Sequence, residues 1–242
     1  MAEDEIIKHA KAAIKVVREP GKSWKHKIGE IIMEVLIIVF AVSVSIWFHN
    51  LAEESKDRKE EREFLRGLKE DLQADVQEME NDRGAFINAL KGAVYFQKVG
   101  AGKIPFNSDS LRDYVFVFWG DAAVDPRISR FEALKGSGKL FIIESKDLLF
   151  KITDLYSKDF PRVNRMNDIF NATRSNRLDP YLESHLQLDA AGHGTNWEQV
   201  LQSSQMRLLV FQSQMISNSI DSYTAAIEKC KLIIKEIDKE EK

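Results

Sequence analysis

Residues 28–48 read Ile-Gly-Glu-Ile-Ile-Met-Glu-Val-Leu-Ile-Ile-Val-Phe-Ala-Val-Ser-Val-Ser-Ile-Trp-Phe. At about 1.5 Å of rise per residue a helix of this length spans about 31 Å, close to the thickness of the hydrocarbon layer of a bilayer. The part without charge, Val35 to Phe48, is 14 residues long. Alone it would suit a buried core helix or the apolar region of a signal peptide, so a full span must include Glu30 and Glu34. A cleaved signal is disfavoured because 27 residues precede the run and Trp47, Phe48, His49 and Asn50 offer no small-x-small cleavage site. Trp24 and Trp47 stand where interfacial aromatic belts would be, and Lys25 and Lys27 add basic anchors beside Trp24. The expectation is a transmembrane helix over 28–48.

Lys22, Lys25 and Lys27 precede the span, while residues 49–55 carry no Lys or Arg. This asymmetry predicts a cytoplasmic N-terminus and a C-terminal part on the far side, periplasmic if the membrane is a bacterial inner membrane. Residues 1–27 form the cytoplasmic tail. Within it Ile6, Ile7, Ala10, Ile14 and Val17 share a stripe between basic residues, as in a helix lying on an anionic leaflet.

The rest of the chain reads as water-soluble and all-α. Residues 49–63 are dense in charge and form a solvated helical stalk. In the extracytoplasmic domain, 64–242, apolar residues recur every seven positions at Leu65, Leu72, Met79 and Phe86, with Asp75 and Asp82 interrupting the companion seam. A parallel coiled coil and a helix packed within its own domain both fit that pattern. A second periodic stretch, Trp197 to Lys239, carries Leu209, Ile216, Tyr223 and Cys230 on one seam and Ile220, Ile227 and Ile234 on another. Read as one helix of about 64 Å, with Thr195 or Asn196 as the residue that caps its start, it is long enough to run back along the first. The expected architecture is an antiparallel helical bundle standing on the membrane.

Between the two long helices the punctuation is clear. Asn107-Ser108-Asp109 opens a helix stopped by Gly120, Asp125-Pro126 opens another ended by Gly136-Ser137-Gly138, and Glu144 to Tyr156 carries an apolar stripe that resumes after Pro161. Only Lys139 to Ile143 has strand character.

Three patches carry a family resemblance: Gly29-Glu30-Ile31-Ile32 with its apolar run, Phe64 to Leu72, and Phe131-Glu132-Ala133-Leu134-Lys135 continuing through Gly138-Lys139-Leu140 to Tyr156. Together they resemble an uncharacterised bacterial family of single-pass membrane proteins, from which this chain differs at Glu34 and Ile37. The resemblance implies an envelope location and a helical architecture, and no reaction.

No catalytic or metal centre can be assembled from the sequence, and no cofactor is expected. Gly136-Ser137-Gly138-Lys139 fails as a phosphate loop because Ala133 and Leu140 stand where Gly and Ser or Thr are needed. His185, Asp189 and His193 match no common ligand spacing. One cysteine excludes a disulfide framework, and a net charge of −3 gives no electrostatic reason to bind nucleic acid. The polar groups that stand out are in the span: Glu30 and Glu34 on one helix face, and Ser43 and Ser45 as small polar contacts. The expected partners are therefore the lipid bilayer and either a second copy or another membrane protein. The expected role is a non-enzymatic interaction or scaffold subunit. The alternative is a single-pass sensor whose outer domain binds a small ligand and signals through a partner.

Overall fold

The computed structural model describes the backbone of residues 24–114, 116–212 and 215–240, with side chains from residue 28 onward in those ranges. The amphipathic tail, the side chains of Trp24, Lys25 and Lys27, and residues Val115 and Ser213 lie outside what is described. The described residues are helical with no strand, so the fold is all-α. The only pairing of strand type among them is one isolated bridge, Leu188 with Gly194.

The chain divides into two compact units, Met1–Glu60 and Glu61–Lys242. Helix α1, Trp24–Gly100, begins in the first and ends in the second. Its stretch from Ile28 is the one described helix long and apolar enough to cross a membrane, and none of its apolar window is buried. A core helix would have covered those side chains; here Val39, Phe40, Ile46 and Trp47 are all more than half exposed.

The second unit contains nine further α-helices among the described residues: α2 (Ser108–Asp113), α3 (Phe116–Trp119), α4 (Ser129–Gly136), α5 (Lys146–Asp154), α6 (Phe160–Thr173), α7 (Asp179–His185), α8 (Trp197–Gln202), α9 (Ser204–Gln212) and α10 (Ile216–Glu240). Within this unit α10 packs on α5, α6 and the turn between them. An aromatic cluster centred on Phe86 ties four helices together: its ring lies 5.5 Å from Phe116, 5.2 Å from Phe170 and 5.6 Å from Tyr223. At Gly92 the packing is so close that a Cβ would sit 2.6 Å from Tyr114, which is why α1 carries no side chain there.

From Lys146 to His185 the helix never stops; it changes gauge twice. The turns Leu155–Asp159 and Arg174–Leu178 are π-helical, closed by the Phe160 N–H donating to the Leu155 carbonyl and the Asp179 N–H to the Arg174 carbonyl. Each ends two residues before a proline, Pro161 or Pro180. A proline cannot donate to the carbonyl four residues back and its ring collides with it. In both cases that carbonyl, of Ser157 or Asn176, lies in the widened turn. The helix thus passes its prolines by widening beforehand, where at Pro161 the sequence pattern suggested a stop and a restart.

Several expectations are corrected. The C-terminal stretch is not one helix. It breaks at Ser203, whose backbone is extended (φ −63°, ψ 145°) and whose Oγ accepts from the Met206 N–H, so a serine cap restarts the chain as α9. Asn196 precedes α8 but does not cap it; its side chain instead accepts from the Gln187 N–H and donates to the His185 carbonyl. The helix expected from Asp125-Pro126 starts only at Ser129. Lys139 to Ile143 forms a 3-10 turn, Leu140–Ile142, rather than a strand. The charged stalk is not solvated to its end, since Glu61 is buried and its carboxylate accepts the Glu144 N–H at 2.6 Å.

Candidate functional site

The periodic apolar residues come first, because their exposure decides what they can do. Leu65, Leu72, Met79 and Phe86 of α1 are buried in the core of the second unit. So are Leu209, Ile216, Tyr223 and Ile227, while Ile220 and Ile234 are partly buried against it. These seams therefore face their own domain and leave no stripe for a coiled coil with another chain. The two acids that interrupt the α1 seam are accommodated individually. Asp75 is 2% exposed and takes the Arg127 Nη1–H at 2.6 Å and the Arg127 backbone N–H at 3.3 Å, while Nη2–H goes to Glu78. Burial still pushes the Asp75 carboxyl above the usual carboxylate range, against the pull of Arg127. Asp82 is half-buried and also raised by burial.

The groups of the span are arranged differently. At 100° per residue, Glu30, Glu34, Ala41 and Ser45 fall within about 60° of one another, whereas Ser43 lies on the opposite face. Glu30 and Glu34 are half-buried and Ser43 and Ser45 exposed. The Ser45 Oγ–H is already satisfied by the Ala41 carbonyl at 2.8 Å within the helix. Trp47 is exposed and its ring meets Phe48 at 5.0 Å.

The histidine pair does not form a centre. His185 stacks on Tyr181 at 4.2 Å and its Nδ1 is 2.9 Å from the Tyr181 carbonyl, whereas His193 is held by Asp189 in an exposed turn with Gly192 at φ +82°. Among the described residues no three His, Cys, Asp or Glu side chains come together as a metal site would need. Cys230 is wholly buried in the core, and that burial pushes its thiol well above the ordinary range, the wrong direction for a nucleophile.

Two concavities among the described residues of the second unit have walls rich in apolar side chains. One is an open groove of about 950 Å³ where Trp119, Leu188 and Trp197 meet Asp109, Glu183 and His193. The other is a smaller, more apolar cavity of about 260 Å³ bounded by α6, the π-turn Arg174–Leu178, α9 and the start of α10. Ile169, Phe170, Leu209 and Ile216 supply its walls, and its charged lining residues are Arg174 and Arg177. Arg177 Nη1–H donates to Gln212 at 3.1 Å. Arg174 is four-fifths buried, its Nη atoms lie 3.5 Å from Asp121 and 3.8 Å from Asp179, and its buried Nε–H has no hydrogen-bond partner. Sequence reading singles out neither arginine. The available signal was Arg174-x-x-Arg177, basic residues at about one-turn spacing, with Pro180 three positions further on.

Comparison of the chain with protein-family models, with curated proteins and with solved structures gives no match in any of the three.

Proposed function

We propose that this chain is a membrane-anchored, non-enzymatic interaction or scaffold subunit of an envelope complex. Its N-terminus would be cytoplasmic and its helical domain periplasmic, on a bacterial inner membrane. The observation that carries the reading is the contrast within α1: none of its N-terminal apolar window is buried, while its seam residues further on are consumed by their own core. Association then falls to the span, where Glu30 and Glu34 share a face with small Ala41 and Ser45. A carboxylate inside the bilayer costs on the order of 2.5–3.5 kcal/mol at its centre, so a basic or hydrogen-bonding group on a neighbouring helix would be favoured there. An antiparallel arrangement of α1 and α10 in the outer domain is supported by ion pairs that join Lys69 to Asp238 and Glu80 to Lys231. The membrane signature of the resembled family points the same way.

The test is the native mass of the full chain extracted gently from its own membranes, with co-purifying chains identified, for the natural sequence and for Glu30→Gln with Glu34→Gln. A defined oligomer or a stable companion, weakened by the double substitution, supports the reading. A monomer without companion overturns it.

A second reading, the ligand-binding sensor, is favoured by one observation, the arginine-flanked cavity of the outer domain.

A further inference from the structure

A third groove of the second unit, about 620 Å³ and open to solvent, lies between the end of α1 and α9. Lys98 of α1 and Lys103 just past its end line one side, and Arg207, Leu208 and Phe211 of α9 line the other. The two chain segments pack closely at Gly100, where a Cβ would sit 2.6 Å from the Leu201 carbonyl oxygen. Gly102, at φ +67°, folds the chain back so that the Lys103 N–H donates to the Lys98 carbonyl at 2.9 Å, which returns Lys103 to the end of α1.

Charge on this groove has one sign. Although 38 of the chain's 242 residues are acidic, none lies in 83–108 or in 199–220, the two stretches that form it. Lys98, Lys103 and Arg207 are exposed, and among the described residues none of the three side chains has a hydrogen bond or ion pair. Elsewhere in the unit Lys69, Lys151, Lys229 and Lys231 each meet a carboxylate. The helix dipole does not account for the cluster. It favours Lys98 at the C-terminal end of α1, but Arg207 stands in the first turn of α9, where it disfavours a cation. Like charges gathered without a counter-charge repel one another, and an anionic partner removes that repulsion.

The same face carries exposed apolar side chains at helical spacing. Leu208 and Phe211 are one turn apart and each 56% exposed. On α1, at 100° per residue, Ile87, Lys91, Val94 and Lys98 fall within about 60° of one another, a row about 16 Å long that leads into the groove. Ile87 and Val94 are more than a third exposed, and the Lys91 side chain, too, has no partner among the described residues. A groove between two helices, apolar along its length and cationic at its edges, accepts the rod of a third helix, whereas a flat bilayer would meet its rims first.

We propose that this groove docks an acidic amphipathic helix of a partner protein. Its apolar stripe lies on Val94, Leu208 and Phe211, and its Asp and Glu residues face Lys98, Lys103 and Arg207. A second copy of the chain is the poorer fit, because a two-fold pairing of this face sets cation against cation. The contact is additional to the span-borne association proposed above and does not depend on it.

The experiment uses the full chain in phosphatidylcholine nanodiscs and a fluorescent synthetic helix of about five turns, leucine on one face and glutamate on the other, followed by anisotropy against empty discs. Two control peptides carry lysine in place of every glutamate, or glutamine in place of every leucine. The acidic amphipathic peptide is expected to bind at least about tenfold more tightly than either control. Lys98→Glu with Arg207→Glu should reverse the charge preference, so that the lysine peptide binds better, which a mere loss of fold cannot produce. Phe211→Ser should weaken the acidic peptide by about tenfold. Thermal unfolding of each variant checks that it is folded. No saturable binding, equal affinity for the acidic and basic peptides, or an acidic preference that persists in the folded charge-reversed variant overturns the proposal. So does an affinity that falls as the chain is concentrated, which marks a second copy on the face, or displacement of the peptide by phosphatidylglycerol vesicles, which marks a lipid surface. Companions lost on Glu30→Gln with Glu34→Gln report on the span, and peptide lost on charge reversal reports on this groove, so the two proposals fail separately.

Discussion

Helix α1 uses the same residue types in two ways. Around Val39 and Phe40 large apolar side chains are more than half exposed; around Leu72 and Phe86 they are wholly buried. The difference lies in spacing. From Val35 to Phe48 apolar residues occupy nearly every position, so no single protein face can cover them, whereas from Leu65 they recur every seven and alternate with charges that need water. All-round apolarity calls for an apolar solvent, and one-sided apolarity calls for a neighbouring helix. The two halves should therefore respond oppositely to the same class of substitution.

The largest effect is expected from placing charge in the first region. Ile37→Arg with Val39→Arg should cost about 5–7 kcal/mol of insertion free energy, at about 2.5–3.5 kcal/mol each near the middle of a span. Membrane flotation should show the variant leaving the lipid fraction while its helical content persists. Next is truncation of the aromatic hub. Phe86→Ala should destabilise the helical domain by about 3–5 kcal/mol in chemical unfolding, because Phe86 is fully buried among three other rings. Phe40→Ala, at 71% exposure, should leave that transition within about 0.5 kcal/mol. Equal effects of the two would erase the contrast.

The third effect concerns the acid inside the seam. Arg127→Ala strands Asp75 and should cost about 2 kcal/mol at neutral pH. The folded Asp75 carboxyl already titrates above its ordinary value of 3.8 because of burial, so the fold binds that proton more tightly than the unfolded chain does. Stability from this group is therefore greatest at low pH and falls as pH rises through the raised value. Losing Arg127 raises it further, so the penalty of the substitution should be small near pH 3.8 and full at pH 7, as urea titrations at the two pH values would show. A penalty independent of pH would mean that Asp75 is not the group responsible. Smallest is Tyr223→Phe, which removes the hydroxyl that accepts from Asn167 at 3.0 Å and should cost about 1 kcal/mol.

Much of this was legible from periodicity, because a seven-residue repeat and an uninterrupted apolar run report directly on what must be covered. Caps were legible where one side chain acts on its own helix: Asn107 accepts the Asp109 N–H and Gly138 sits at φ +71°, as the punctuation implied. Ser203 was not, since a serine inside a helical period breaks the helix only when its cap competes successfully, and here Tyr181, distant in sequence, holds the same Oγ at 2.6 Å. The π-turns were not legible either, because proline announces a disturbance and not whether the chain ends or widens to absorb it. Arg174 and Arg177 stayed hidden among ordinary surface charges, because only the folded chain brings them beside residues of two later helices.

The central claim is that residues 28–48 hold the chain in a bilayer while the helical domain is stable in water. Alkaline extraction of membranes carrying the full chain tests it most directly. The chain should remain in the pellet after a carbonate wash and be released only by detergent; release of the intact chain into the supernatant would show that its exposed apolar helix is covered by protein rather than by lipid.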